Sequence, residues 1–230
     1  VPLALIGLEA YDTWKNGRAT PWMARHKWPI MFFLAVSFWN LIGAGLLGFL
    51  INTPIALYFM QGTNLTAAHG HTALFGVYGM LGIGLMLFCL RGLSSPRAWK
   101  DKLLAPAFWL LNIGLVGMTF FALLPAGIYQ AWASITKGLW YARSPEVIHS
   151  PIMELFVWLR VPGDIVFAGG ALVLAAFVLA LWWGSRGRRE AVGSMAGLPE
   201  AAPATAGVAT ATVSMTAHGS DGSCCGHCQG

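Results

Sequence analysis

The sequence is 230 residues long, 57% hydrophobic and only 10% charged, with a formal net charge of +5 and a mean hydropathy of +0.63. That is too apolar and too poor in charge for an ordinary soluble domain. The basic residues gather at the ends of apolar runs and form no patch on a polar face, which argues for orientation in a membrane and against nucleic-acid binding.

The opening stretch, "VPLALIGLEAYDTW", reads as the end of an apolar element followed by a polar loop, and the absence of an initiating Met suggests a piece of a longer protein. It lacks the basic lead of a signal peptide. After Lys27 no Asp, Glu, Lys or Arg occurs until Arg91, and about sixty such residues suffice for two crossings and a turn. The first crossing is Trp28 to Ile51, closed by the turn signal Asn52-Thr53-Pro54, and a short aromatic loop, "ALYFMQGTNLT", leads to the second at about 67–90. The third falls within 103–132 and the fourth within 152–183. Each is expected to be helical, because a helix satisfies its own backbone polar groups where lipid cannot.

Loop charges set the expected orientation. Arg18, Arg25 and Lys27 precede the first crossing; Arg91, Arg97, Lys100 and Lys102 separate the second from the third; Arg186, Arg188 and Arg189 follow the fourth. These segments are expected on the cytoplasmic side. From residue 184 to 230 the chain turns Ala-, Gly-, Ser- and Thr-rich and is expected to be a disordered cytoplasmic tail. Four cysteines give no secreted disulfide framework: Cys89 stands alone in an apolar run, and Cys224, Cys225 and Cys228 crowd the C-terminus beside His227. That terminal group has a soft-metal composition but not the spacing of a zinc finger and no second ligand pair, and a flexible tail with reduced thiols explains it better.

The chemistry-bearing feature is "HGH", His69 and His71 with Gly70 between them, near the outer end of the second crossing. Residues i and i+2 of a helix point about 200° apart, so the two imidazoles do not converge on one ion. If both are ligands they serve two centres on opposite sides, and Gly70 removes a side chain where two flat groups would crowd. Spacing alone leaves the alternative open, that they are hydrogen-bonded packing residues or part of a proton path. Gly76, Gly79, Gly82 and Gly84 suit either close helix packing or room for a flat cofactor.

The residues themselves carry a resemblance. "LTAAHGHTALFGVYGMLGIGLMLFCLRG" resembles the tenth core helix of bacterial nitric oxide reductases, members of the haem-copper oxidase superfamily that use non-haem iron in place of copper. "GLWYARSPEVIHSPIMELFVWLRVPGDIVFAGGA", residues 138–171, resembles the last loop and helix of the single-chain, quinol-dependent kind. The likeness runs from Glu9 to Trp183. It implies an all-α integral membrane fold whose four helices form the C-terminal part of a twelve-helix bundle in a bacterial inner membrane. By position it implies that His69 is the proximal ligand of the high-spin haem b3 and His71 an axial ligand of the low-spin haem b. The reaction implied for the intact protein joins two NO with two electrons and two protons to give N2O and water, with quinol as donor.

The same resemblance puts the non-haem iron ligands, three histidines and a glutamate, on earlier helices. The remaining histidines, His26, His149, His218 and His227, lie in no expected crossing, so this piece alone is expected to lack the iron site and to be inactive. Arg160, four residues before Asp164, is a candidate for a haem propionate contact through bidentate hydrogen bonds, against a local i,i+4 pair that anchors the helix. Trp140, Tyr141, Trp158, Tyr58 and Phe59 suit an interfacial belt better than a quinol site. Glu154 is read as an interfacial carboxylate, and His26 as facing water or headgroups. Rival readings are a cytochrome c-dependent reductase or an oxygen reductase and, in another class, a metal or proton transporter using the two histidines as a relay.

Overall fold

The computed structural model describes residues 2–17, 20–94 and 98–195, and among these all regular structure is helical. Two helices precede the membrane segments, α1 (Pro2–Gly17) and α2 (Pro21–Arg25). Then come α3 (Lys27–Asn52), a short α4 (Pro54–Met60), α5 (Asn64–Leu93), α6 (Asp101–Lys137), a single-turn α7 (Pro145–Ile148) and α8 (Pro151–Met195). Four are long and apolar enough to cross a bilayer, with 26, 30 and 37 residues in α3, α5 and α6 and 35 over Pro151–Ser185 of α8. Each exceeds the roughly 20 residues a crossing needs. Large apolar side chains remain exposed along them, Phe49, Leu74 and Leu172 among them, as befits a surface solvated by lipid rather than water.

Three expectations are corrected. The polar part of the opening stretch is not a loop, because α1 runs unbroken through it to Gly17. The aromatic loop after Asn52 is largely helical: Pro54 at its first turn supplies a fixed φ, and its missing N–H needs no partner there. The last helix does not stop at 183, since the segment after Trp183 contains no proline and α8 continues to Met195. The terminal cysteines and His227 lie outside the described residues.

The bundle core sits where α3, α5, α6 and α8 meet, around Phe32, Trp39, Met80, Leu87, Leu111 and Phe177. The most extensive contact is α6 along α8, and it depends on glycine. A Cβ on Gly114 would lie 2.5 Å from the Phe167 nitrogen, and one on Gly163 would lie 2.5 Å from the Met118 nitrogen. Without a hydrophobic drive between helices in lipid, such backbone approach supplies the packing energy. Inside the bundle, Trp39 Nε1 donates to Asn112 Oδ1 at 2.9 Å, and Asn112 Nδ2 donates to the Phe108 carbonyl at 2.8 Å. At one end Arg91 Nε donates to the Arg25 carbonyl at 3.0 Å, and the guanidinium lies 4.7 Å from the Trp99 ring centre. Helix starts and ends rich in basic residues are thereby gathered on one side.

Three of the long helices contain π-helical stretches: Asn40–Leu47 in α3, His71–Gly79 in α5 and Thr119–Leu123 in α6. Hydrophobic periodicity gives no sign of them. Such interruptions shift the i→i+4 ladder locally, and around His71 side-chain donors accompany the shift.

Candidate functional site

The start of α5 is fixed from three sides. Gly62 turns the chain with φ +68°, a conformation open to glycine at little cost, and Arg143 donates through Nη2 to the adjacent Gln61 carbonyl. Thr63 donates to the Met60 carbonyl at 2.7 Å, while Gln130 Oε1 on α6 accepts from the Asn64 N–H at 2.7 Å. His69 and His71 follow within two turns, near the end of the bundle opposite Arg91.

The two imidazoles engage different partners. His69 Nδ1 lies 2.8 Å from the Gly43 carbonyl oxygen on α3, and His71 Nδ1 lies 2.8 Å from the Ala67 carbonyl oxygen on its own helix. A carbonyl only accepts, so in each neutral ring the proton belongs on Nδ1 and the lone pair on Nε2. That is the tautomer a metal-binding imidazole needs, with the second nitrogen held by an outer acceptor. His71 Nε2 faces α8, where Arg160 Nη2 lies 3.5 Å away. The rings are thus directed at different helices, and no group of three or more His, Cys, Asp or Glu among the described residues is placed to hold a metal ion.

Glycine makes the first arrangement possible. A Cβ on Gly48 would stand 2.9 Å from His69 Cε1, and one on Gly43 would stand 2.4 Å from Thr72 Cβ. Around Gly70, by contrast, a Cβ would meet nothing within 4 Å, so the space between the histidines is open. The open face is the one at Gly70; the His69 ring packs against Gly48 of α3, and His71 Nε2 meets Arg160. Thr72, fully buried, donates toward the Ala68 carbonyl at 2.9 Å and the His69 carbonyl at 3.0 Å. With His71 Nδ1 on Ala67, three successive carbonyls receive side-chain donors where the π stretch begins. The Ala67 and Ala68 carbonyls also accept the His71 N–H, so the side-chain donors add to the backbone bonds at this junction, and the one from His71 orients its ring.

Arg160 and Asp164 form the local pair, with Nε 3.1 Å from Oδ2 and both side chains about two-fifths exposed. Pro162 lies inside α8 without ending it. Glu154 and His149 are exposed. His26 does not face water as expected: it is buried at the far end of the bundle, stacked on Trp22 at 4.6 Å and near Phe88 at 5.3 Å, with Nδ1 3.0 Å from the Trp22 carbonyl oxygen. The aromatic body of the ring explains this, since it adds buried apolar area while its polar atom is satisfied within one turn. Gly43, Gly48 and Thr72 carry no mark in the sequence that singles them out. Gly43 lies 26 residues from His69, and nothing local identifies it as that ring's acceptor.

Residues 1–166 match the family model described as "Cytochrome C and Quinol oxidase polypeptide I". The chain belongs to this family. It is a family of haem-bearing membrane oxidoreductases built on a helical bundle, the haem-copper oxidase subunit I fold. The chain is also 32% identical over 152 residues to a subunit of the nitric oxide reductase of Stutzerimonas stutzeri. That match covers 64% of this chain and 30% of the relative, so the chain spans about a third of that relative's length.

Proposed function

We propose that the chain supplies the axial histidines of two haems in a nitric oxide reductase, His69 to the high-spin haem b3 and His71 to the low-spin haem b. The observation that carries this reading is the pair of Nδ1 contacts to backbone carbonyls, His69 to Gly43 on α3 and His71 to Ala67 on its own helix, which make Nε2 the candidate ligand atom of each ring. Haem, when bound, supplies the redox-active iron. The chain's own work is to fix the tautomer, hold the rings apart across Gly70 and exclude water from the buried side near Ala68 and Thr72. Arg160, paired with Asp164, has its Nη2 on His71 Nε2 and would have to move off that atom for iron to bind it; it is proposed then to meet a haem propionate.

The overall reaction proposed for the whole protein is two NO, two electrons and two protons giving N2O and water. Similarity to part of a nitric oxide reductase supports it. The non-haem iron ligands are proposed to come from parts of the protein corresponding to the remainder of that relative. Quinol is proposed as the donor on the resemblance of residues 138–171, the membrane is proposed to be the bacterial inner one, and the C-terminal end is proposed to be cytoplasmic from the loop charges.

The deciding experiment is a reduced-minus-oxidised spectrum of the purified intact protein. His69→Ala is expected to lose the high-spin component and His71→Ala the low-spin one; an unchanged b-type spectrum in both would overturn the ligand assignment. NO consumption driven by quinol and not by cytochrome c separates the proposed donor from its rival. Rapid oxygen consumption without NO consumption would replace the reductase by an oxygen reductase.

A further inference from the structure

Helices α3 and α6 enclose two hollows stacked along their shared groove. Nearer the helix starts is a polar one of about 320 Å³ lined by Ala24, Lys27, Trp28, Asp101 and Lys102. Deeper lies an apolar trough of about 380 Å³, walled by Met31, Leu34 and Phe38 on one side and Trp109, Asn112 and Ile113 on the other. Trp28 links them, lining the upper hollow while its ring approaches Phe108 of the trough at 6.1 Å. We propose that this groove binds one anionic phospholipid, its phosphate between Lys27 and Lys102 and an acyl chain in the trough.

Charge, depth and polarity all favour that occupant. Two exposed lysines stand at the mouth, and Lys27 Nζ lies 5.1 Å from the Trp28 ring centre, the pairing of cation and amphipathic ring that marks a headgroup level. Asp101, the one carboxylate at the mouth, accepts from Trp99 Nε1 at 2.9 Å, which draws its charge toward its own loop. Basic hollows between membrane helices are recognised settings for anionic headgroups.

The groove is one leaflet deep. At 1.5 Å per residue the run from Lys27 to Trp39 is about 18 Å and that from Lys102 to Val116 about 21 Å. Half of a bilayer, headgroups included, is roughly 20–22 Å. A transmembrane helix would need a groove about twice as long. A quinol headgroup is uncharged and gains no ion pair from the two lysines at the mouth, whereas a phosphate does.

The test is native mass spectrometry of the intact, delipidated protein titrated with phosphatidylglycerol or phosphatidylcholine of matched chains. One phosphatidylglycerol is expected to bind at least tenfold more tightly than phosphatidylcholine. Lys27→Gln with Lys102→Gln is expected to weaken it about 30-fold, two interfacial charges at about 1 kcal/mol each. Ile113→Trp, which fills the trough from an exposed position, is expected to weaken both lipids while the melting temperature holds. If that variant fails to fold, the lysine pair alone decides, since both side chains are exposed. Equal binding of the two lipids, unchanged binding in the lysine variant, or one-for-one displacement by a quinol analogue would each overturn the proposal.

Discussion

The carbonyl oxygen of Gly43 holds the Nδ1 of His69 at 2.8 Å, across 26 residues and from one membrane helix to the next. This bond, with the ring lying against Gly48, makes α3 a positioning element for a side chain on α5.

The consequence is testable at Gly48. A Cβ there would come within 2.9 Å of His69 Cε1, so Gly48→Leu should displace the ring and cost the high-spin haem signal while sparing the low-spin one. The reduced-minus-oxidised spectrum, with and without carbon monoxide, reads both. Equal loss of the two signals would point to general misfolding instead.

Thr72→Val keeps the shape of a fully buried side chain but removes the donor shared by the Ala68 and His69 carbonyls. The Ala68 carbonyl keeps the His71 N–H, so the loss is that of a net hydrogen bond, about 0.5–1.5 kcal/mol; the thermal midpoint should fall accordingly, and Thr72→Ser should recover most of it. A midpoint unchanged by Thr72→Val would show that the π stretch does not depend on this hydroxyl.

Asn112→Leu should strand the Trp39 indole N–H inside the bundle and destabilise it by about 1–3 kcal/mol. Combining it with Trp39→Phe should cost less than the sum of the two single changes, because one lost bond is then counted once. Additive effects in this cycle would exclude coupling.

Gly163→Ala places a methyl 2.5 Å from the Met118 nitrogen, backbone that can move only by separating α6 from α8. A loss of about 1–3 kcal/mol is expected. Ala171→Ser, at an exposed position on α8, should by contrast change stability by less than about 0.5 kcal/mol. Melting curves of the two variants make the comparison; similar losses would argue against the glycine contact.

Much of the architecture is legible in the sequence because lipid imposes it. The uncharged run from Trp28 to Leu90 leaves no choice but helices, and the spans observed at Lys27–Asn52 and Asn64–Leu93 lie within a few residues of those expected. The i,i+2 spacing of His69 and His71 also translates directly into rings that face different neighbours. What the pattern does not reveal is relational. Gly43 and Gly48 are ordinary small residues in a helix until His69 is brought against them, and Thr72 is an ordinary threonine until its hydroxyl reaches the Ala68 and His69 carbonyls. His26 departs from expectation because flanking charges at Arg25 and Lys27 suggest water, while its ring finds aromatic neighbours.

The π stretch at His71–Gly79 has a further effect on how α5 tolerates change. An i→i+5 bond accommodates one residue more than an α turn, and one residue of helix is about 100° of rotation. The segment bearing His69 and the segment bearing Met80 and Leu87 are therefore out of phase, and their buried faces belong to two different clocks. Deleting a single residue between Phe75 and Gly79 should therefore convert the stretch to α-helix and leave both the histidines and the face bearing Met80 and Leu87 where they are, whereas the same deletion between Met80 and Leu87 should turn one segment by about 100°. The π stretch is the place in α5 where a change of length by one residue stays local.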